Sequence, residues 1–459
     1  MRLYRGLRWL LGLAMRVFFR QVEVVGLEHV PARGAVLFAG NHPNSLIDPI
    51  LILTTCGRIV HFAAKDTLFT TRIMRWLLRG LGAVPVARRD DHGAGADNQA
   101  AFTAMFRTLG EGRAIGIFPE GLSHDASQLA RLKTGAARLA LGAAARGTAV
   151  TIVPCGLTFI HPRAFRSRAL VQYGPPIVIP AEASPAPAPA DADADADAVA
   201  AARTLTERID RALRGLTVNA VDWDTIRLLD AVRRLYQPPA IEIEDRVELA
   251  RRFNTHYPKV KDRPEVVHAM QRVRRYQGRL DELGVADREI AGGLAPRAAA
   301  RRVLRNLALV FFWLPLMLPG ALLHLPAVGL ARLAGKKLTP RKDVIATTKV
   351  LAGMAIVFTF YAAAAVGLAW WKGWPWAVAA AIVLPVSGYA TLKVIDRFYF
   401  LRRGAGALWR SLRLQREARA LEAERSALTA ELIELVDALK PADLVPLFPR
   451  EVPREAAAR

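Results

Sequence analysis

Three uncharged apolar runs in the C-terminal half of the chain limit its fold more than any other feature. They contain 26 residues at Asn306–Ala331, 22 at Val350–Trp371 and 20 at Gly373–Leu392. A helix of about 20 apolar residues crosses the hydrocarbon core of a bilayer. The second and third runs therefore predict a transmembrane helical hairpin over 350–392. Lysines and arginines flank this pair, which predicts that both of its ends face the cytoplasm.

The first apolar run has a different pattern. It contains Pro315, Pro319 and Pro326, and basic residues flank it on both sides. Its length allows one crossing of a bilayer but not two, which would need about 40 residues. Because both flanks favour the cytoplasm, we predict that 306–331 forms a re-entrant or interfacial hairpin.

The N-terminal segment alternates arginines with apolar residues. Its uncharged centre, Trp9–Met15, is too short to span a bilayer, and no small-residue cleavage site follows it. Residues 1–20 therefore predict an amphipathic helix that lies on the membrane surface. The alternative is a surface helix packed on the folded domain.

The net charge of the chain limits the kinds of molecule that it is expected to bind. The chain has 64 lysines and arginines against 41 acidic residues, a net charge of +23. Such a chain favours nucleic acid or anionic lipid headgroups. Because it has apolar runs and no zinc-finger or RNA-binding signature, we expect membrane lipids and no nucleic acid. Cys56 and Cys155 have no metal-ligand spacing, so no metal site is expected.

Residues 21–180 alternate strand-like and helical patterns, which predicts an α/β fold with a mixed sheet covered by helices. A catalytic domain is assigned to 21–220, with the Pro/Ala and Asp/Ala repeats at 181–200 as a disordered acidic loop. A helical extension over 221–305 leads into the membrane-associated region. A charged amphipathic helix over 405–440 could pair with another chain and form an oligomer.

The segment Asn41–Pro49 places His42 and Asp48 six residues apart, directly after an apolar run. Histidine can accept a proton near neutral pH, and a carboxylate can hold its ring in one tautomer. Asp48 followed by Pro49 is typical of a helix N-cap. The two side chains meet only if the turn between them folds back. Such pairs are most often structural, so the chemistry needs further support.

Three later segments give that support. Gly82–Arg89, Ile115–Ser123 and Thr151–Leu157 each begin as an apolar strand and end in a turn or in charged residues. In open α/β sheets the ends of the strands carry the ligand site.

The four segments together resemble the four sequence blocks of the glycerolipid (glycerophosphate) acyltransferase family, over about residues 20–220. Two departures occur: five residues rather than four separate His42 from Asp48, and Leu122 follows Gly121 where threonine is usual. The longer spacing and the membrane-associated C-terminal half resemble the branch that acts on glycerol 3-phosphate and dihydroxyacetone phosphate.

The resemblance implies catalytic roles for two residues. His42 would be the general base and Asp48 would orient its ring. No Gly-x-Ser-x-Gly motif occurs, so direct transfer without an acyl-serine is expected. The amides near Gly121, or those that open the helix after Asp48, are candidates to stabilise the oxyanion.

The resemblance also implies a set of substrate-binding residues. Arg88 would grip a phosphate, Glu120 would bind acceptor hydroxyls, and Gly121 would allow a tight turn near the ligand. Lys133 is a further candidate phosphate contact, and His124 a weaker candidate for the site.

The predicted function is that of an integral, cytoplasm-facing acyltransferase, at the inner membrane if the chain is bacterial. It would use acyl-CoA or acyl-ACP as co-substrate, with no cofactor, and glycerol 3-phosphate or dihydroxyacetone phosphate as acceptor. Lysophosphatidate is the alternative acceptor. A non-enzymatic membrane scaffold and a lipid hydrolase are the remaining alternatives.

Overall fold

A mixed eight-stranded sheet forms the centre of the N-terminal part of the chain. The computed structural model describes residues 2–87, 98–126, 128–181, 196–219, 223–237, 241–283, 285–291, 296–339, 341–413 and 415–441. Contacts divide the chain into two units, one of Met1–Thr217 with Pro315–Leu392 and one of Val218–Leu314 with Lys393–Arg459.

The strands of the first unit are Phe19–Val25 (β1), Ala35–Gly40 (β2), Val60–Lys65 (β3), Val84–Val86 (β4), Ala114–Ile117 (β5), Val150–Phe159 (β6), Ser167–Tyr173 (β7) and Ile177–Ile179 (β8). Their order is β1-β7-β6-β2-β5-β3-β4, with β8 paired to β6. β6 is antiparallel to β7 and β8, and the other pairs are parallel. The predicted α/β class with a mixed sheet is confirmed.

Helices cover both faces of this sheet. They are Arg2–Phe18 (α1), Ile47–Thr55 (α2), Arg72–Gly80 (α3), Gln99–Gly110 (α4), Gly135–Ala144 (α5) and Ala196–Leu216 (α6). Alternate residues of β2 serve the two faces: Val36 and Phe38 pack with α1 and α2, whereas Leu37 and Ala39 pack with α4, α5 and α6. Burial on both faces explains why this strand is apolar throughout.

The N-terminal helix packs on the domain, as in the alternative prediction. Tyr4, Leu11 and Met15 of α1 are buried in the core beneath the sheet, and the Tyr4 hydroxyl donates to the Val60 carbonyl over 3.2 Å. The opposite face leaves Trp9 exposed. Contact of that face with a membrane surface stays a prediction.

The predicted C-terminal boundary of the acidic loop, residue 200, is wrong. Residues 182–195 lie outside the described residues, but 196–200 form the first turns of α6. Alanine has the highest helix propensity, and the segment continues into a stripe that packs on the sheet: Ala202, Leu205, Ile209 and Leu213.

The prediction of a hairpin at 306–331 is wrong. One continuous helix, α11 (Pro296–Lys337), runs through all three of its prolines. The Ser387 hydroxyl donates to the Met317 carbonyl and accepts from the Gly320 N–H. Neighbouring helices can satisfy backbone groups freed by proline, so the prolines need not end a helix.

Two further apolar helices follow, α12 (Ile345–Lys372) and α13 (Trp374–Arg413), joined at Gly373. Among the described residues, three helices are long and apolar enough to cross a membrane, over Ala300–Lys337, Lys342–Lys372 and Trp374–Arg410. His324 of α11 is buried and contacts the Tyr361 hydroxyl of α12 at 2.8 Å. The orientation of the 350–392 pair in the membrane stays a prediction.

The second unit is helical in its described residues. Its other helices are Trp223–Tyr236 (α7), Ile243–Val260 (α8), Pro264–Glu282 (α9), Asp287–Ala291 (α10) and Gln415–Leu439 (α14). α13 runs to Arg413, so the predicted helix over 405–440 is divided between α13 and α14. Leu421, Leu428 and Leu432 of α14 are buried against α7 and α9. These three leucines are therefore covered within this chain, and pairing of the helix with another chain stays a prediction.

Candidate active site

The turn between β2 and α2 carries the predicted base. Asn41 fixes the start of this turn, because its side chain donates to the Leu157 carbonyl (3.0 Å) and accepts from the Leu157 N–H (2.7 Å). This pair of hydrogen bonds ties the turn to β6, the neighbouring strand. His42 therefore follows directly from a rigid strand end.

His42 and Asp48 meet as predicted. The ring Nδ1 of His42 lies 2.8 Å from Oδ2 of Asp48, which also accepts from the Asn44 N–H over 2.7 Å. Asp48 is fully buried. It is not the N-cap that the sequence suggested, because α2 begins at Ile47 and Leu46 is its N-cap. The Asp48 carboxylate therefore orients the His42 ring and does not cap helix α2.

Ser45 lets the longer turn fold back. Its φ of 47° lies in the left-handed region, which residues other than glycine seldom adopt. A single left-handed residue reverses the chain direction locally, and the following N–H groups of Ile47 and Asp48 then bond back to Asn44 and Ser45. The five-residue spacing is thus compatible with a His42–Asp48 contact.

Burial controls the charge of Asp48. Removal from water raises the pKa of its carboxyl from 3.8 to about 6, although the hydrogen bond from His42 opposes the rise. Its second oxygen, Oδ1, is buried without a hydrogen-bond partner among the described residues. The carboxyl group is therefore poised to change its charge near neutral pH.

Stacking fixes the orientation of the His42 ring plane, and the contact with Asp48 fixes its tautomer. Its ring stacks on Phe118 with centroids 4.0 Å apart and planes inclined by 8°, and Phe118 stacks in turn on Phe62. Because Nδ1–H donates to Asp48, Nε2 is the nitrogen left to accept a proton. The His42 side chain is 12% exposed, so part of it is open to solvent.

Glu120 holds the main chain of His42. Its buried carboxylate accepts from the His42 N–H (2.7 Å), the Ala130 N–H (2.8 Å) and the His124 ring (2.5 Å). The hydrogen bond to Glu120 also raises the pKa of His124. The structure thus gives Glu120 a positioning role that the sequence did not suggest. Its predicted contact with an acceptor hydroxyl stays a prediction.

Gly121 and Lys133 lie side by side next to this carboxylate. Gly121 has a φ of +74°, and a Cβ placed on it would come within 2.9 Å of Cδ of Lys133. The Lys133 N–H donates to the Pro119 carbonyl over 2.8 Å, and its side chain is exposed. A bulkier residue than glycine would therefore displace the Lys133 side chain.

Two of the predicted residues, Asp48 and Glu120, contact His42 directly, whereas Gly121 and Lys133 contact each other beside Glu120. Arg88 lies outside the described residues. Sequence reasoning missed the roles of Phe118 and Asn41, although each lies inside a motif segment next to a predicted residue. Within the described part of the chain, no group of three or more His, Cys, Asp or Glu residues could hold a metal ion.

Two family descriptions match the chain. Residues 21–158 match "Acyltransferase", and residues 228–444 match "Glycerol-3-phosphate acyltransferase 2 C-terminal domain". The first match contains His42, Asp48 and Glu120. The second spans the helices from α7 to α14.

Curated relatives agree with these matches. Glycerol-3-phosphate O-acyltransferase 2 of Saccharomyces cerevisiae is 34% identical over 250 residues, which are 52% of this chain and 33% of the yeast protein. Glycerol-3-phosphate O-acyltransferase 1 of the same yeast is 31% identical, over 59% of this chain and 37% of the yeast protein. An uncharacterized acyltransferase of Schizosaccharomyces pombe is 24% identical, over 78% of this chain and 68% of that protein.

The matched region spans about a third of the length of the two Saccharomyces relatives. Residues 21–158, which contain the four motif segments, match the acyltransferase description, and both Saccharomyces relatives are named as glycerol-3-phosphate O-acyltransferases. The chain is therefore similar to acyltransferases over its N-terminal part and to glycerol-3-phosphate acyltransferases over its C-terminal part.

Proposed function

We propose that this protein is an O-acyltransferase that moves a fatty acyl group from a thioester to a hydroxyl of glycerol 3-phosphate. The observation that carries this proposal is the His42–Asp48 pair. Its buried carboxylate fixes Nδ1 and leaves Nε2 to accept a proton. This arrangement is what an alcohol nucleophile requires, because a hydroxyl attacks a carbonyl only as it loses its proton.

The reaction follows from that geometry. The acceptor O–H gives its proton to His42 Nε2 as the oxygen attacks the thioester carbonyl. Asp48 stabilises the imidazolium that forms. When the tetrahedral intermediate collapses, the C–S bond breaks and the thiolate takes the proton back from Nε2. One ester forms, one thiol leaves, and the histidine returns to its neutral state.

The substrates belong to this proposal as well. Both Saccharomyces relatives are named for glycerol 3-phosphate, which supports that acceptor over dihydroxyacetone phosphate or lysophosphatidate. Acyl-CoA or acyl-ACP would be the donor, without a further cofactor. Three apolar helices and a net charge of +23 support an integral membrane location facing the cytoplasm, with anionic lipids as neighbours.

The test is acyl transfer by the purified full-length protein in phospholipid vesicles. Wild-type protein, His42→Ala and a control, His268→Ala on the exposed side of α9, receive one acyl-CoA and each acceptor in turn. Loss of a general base should lower turnover by about 10²-fold or more, whereas the control should keep its rate. Unchanged turnover of His42→Ala would overturn the proposal.

Product analysis separates the other functions. Without an acceptor, an acyltransferase should release little free fatty acid, whereas a hydrolase would release it at the full rate. A scaffold would give no product under any condition. The acceptor that gives the highest kcat/KM identifies the substrate, and preference for lysophosphatidate would reject glycerol 3-phosphate.

A further inference from the structure

The segment that leads into α12 contacts the turn of the candidate active site. Asp343 is buried, and its Oδ2 accepts from the Ser123 hydroxyl over 2.5 Å. The Arg341 guanidinium donates to the Ser123 carbonyl (3.0 Å) and to Asp343 Oδ2 (2.8 Å). Ser123 is thus held through its side chain and its main chain by residues about 220 positions later.

Ser123 connects directly to the base. The N–H of the next residue, His124, donates to the His42 carbonyl over 3.1 Å. The His124 ring donates to Glu120, and Glu120 accepts from the His42 N–H. Hydrogen bonds therefore run from Asp343 through Ser123 and the residues beside it to both main-chain groups of His42.

The start of α12 is attached to the domain at further points. Ala346 and Val350 are buried in the core that contains α1 and α2. Lys349 donates to the Arg163 carbonyl over 2.6 Å. The first turns of this apolar helix are therefore packed against the catalytic domain, and Asp343 is the part of the attachment that reaches the site.

The buried contact between Asp343 and Ser123 carries a desolvation cost that a purely apolar attachment of the helix would avoid. A carboxylate buried beside a hydroxyl must be paired, and losing one partner of such a group is strongly unfavourable. Apolar contacts such as those of Ala346 and Val350 would attach the helix without this risk. The polar link, in contrast, fixes the position of one particular turn, because hydrogen bonds are directional.

We propose that Asp343, with Arg341, is a positioning residue for acyl transfer. It acts through Ser123 to hold the Glu120–His124 turn, and thereby the His42 main chain, in the productive place. Acyl transfer then depends on where α12 enters the membrane, so the enzyme is fully active only when this helix is seated. This inference rests on the acyltransferase function proposed above.

The test uses the full-length protein in vesicles and compares Asp343→Ala, Asp343→Asn, Ser123→Ala and the Ser123→Ala/Asp343→Ala double variant. A misplaced base lowers the rate of the chemical step, so kcat should fall by about 10-fold to 10²-fold in Asp343→Ala. KM for the acceptor should change less than twofold. Asp343→Asn keeps an oxygen for the Ser123 hydroxyl and should recover part of the rate.

Non-additivity is the sharper readout. If Asp343 acts through Ser123, the double variant should have the same kcat as the slower single variant. Losses that multiply, or an unchanged kcat in folded Ser123→Ala, would overturn the proposal. Ser123→Ala leaves the Arg341–Asp343 pair intact, so it answers the question even if Asp343→Ala does not fold.

Two controls complete the design. Glu424→Gln removes the ion pair between Arg279 of α9 and Glu424 of α14 in the second unit, and it should leave kcat unchanged. His42→Ala, measured in parallel, separates the two claims. An inactive His42→Ala beside a fully active Asp343→Ala would reject the positioning role and keep the proposed function. An active His42→Ala would reject the function itself.

Discussion

The N–H of His42 donates to Oε1 of Glu120 over 2.7 Å, so a buried carboxylate holds the main chain of the proposed base. The other carboxylate oxygen accepts from Ala130 and His124. Three donors thus converge on one acceptor group. Glu120 therefore positions the proposed base, and its removal should change both stability and kcat.

Glu120→Ala should lower both stability and kcat. It leaves the His42 and Ala130 N–H groups without their acceptor, and each lost hydrogen bond to a charged group costs about 1.5–3 kcal/mol. Glu120→Gln should be milder but still impaired, because its amide NH₂ would face donors. Thermal unfolding and steady-state kinetics measure the two effects. Glu111→Gln, at a half-exposed surface ion pair, is the control and should change neither.

The pH dependence of the reaction should follow Asp48. Its pKa is raised to about 6, and only the ionised carboxylate stabilises the imidazolium. As pH falls through about 6, Asp48 gains a proton, so kcat/KM should fall about tenfold per pH unit. Asp48→Asn should be slow at all pH values, and any acidic limb that it keeps should belong to His42, which must be neutral to accept a proton. An acidic limb at the same pH in Asp48→Asn and in the wild-type protein would assign the wild-type limb to a group other than Asp48.

The stability contribution of Asp48 has the opposite sign. Because its folded pKa lies above the unfolded value of 3.8, the folded state holds the proton more tightly. The contribution is therefore fully present below about pH 4 and is lost as pH rises through 6. Thermal unfolding of wild-type protein and Asp48→Asn at pH 5 and 7 should show this trend. Loss of activity at pH 5 is then not explained by loss of this contribution.

The parts of the fold that follow local rules could be predicted from the sequence. β2 can be recognised because it is apolar throughout and β6 because it is predominantly apolar, as burial of a strand on both faces requires. The position of His42 in the turn after β2 follows from this. The contact of Ser123 with Asp343 could not be predicted, because nothing in either segment specifies a partner about 220 residues away. The continuity of α11 through its prolines could not be predicted for a related reason: contacts with another helix, such as those of Ser387 with the Met317 carbonyl and the Gly320 N–H, do not follow from the local sequence.

The left-handed conformation of Ser45 should limit which residues this position accepts. A β-branched side chain is strained at a φ of 47°, so Ser45→Val should lose about 1–3 kcal/mol of stability and part of kcat. Asparagine tolerates this conformation, so Ser45→Asn should keep both. Unfolding and kinetics of the two variants give the comparison at one site. Equal behaviour would show that the turn does not depend on this backbone conformation.

The last prediction concerns Lys133 as a phosphate contact. Besides replacement of the lysine itself, two glycines allow a test in which the Lys133 side chain is displaced but kept. Gly121 and Gly57 both have a φ of +74°, but a Cβ on Gly121 would meet the Lys133 side chain, whereas a Cβ on Gly57 meets nothing within 4 Å. Both alanine variants should therefore lose similar stability through backbone strain, about 1 kcal/mol. Only Gly121→Ala should also displace the Lys133 ammonium group.

If that group binds the acceptor phosphate, Gly121→Ala and Lys133→Ala should each raise KM for glycerol 3-phosphate by about tenfold, which is the lower end of what a charged hydrogen bond contributes. Gly57→Ala should leave KM unchanged. The double variant Gly121→Ala/Lys133→Ala should resemble Lys133→Ala alone, because both changes remove the same contact. An unaltered KM in Lys133→Ala would exclude this lysine from the phosphate site. A rise in Gly121→Ala alone would then point to the turn itself as the substrate contact.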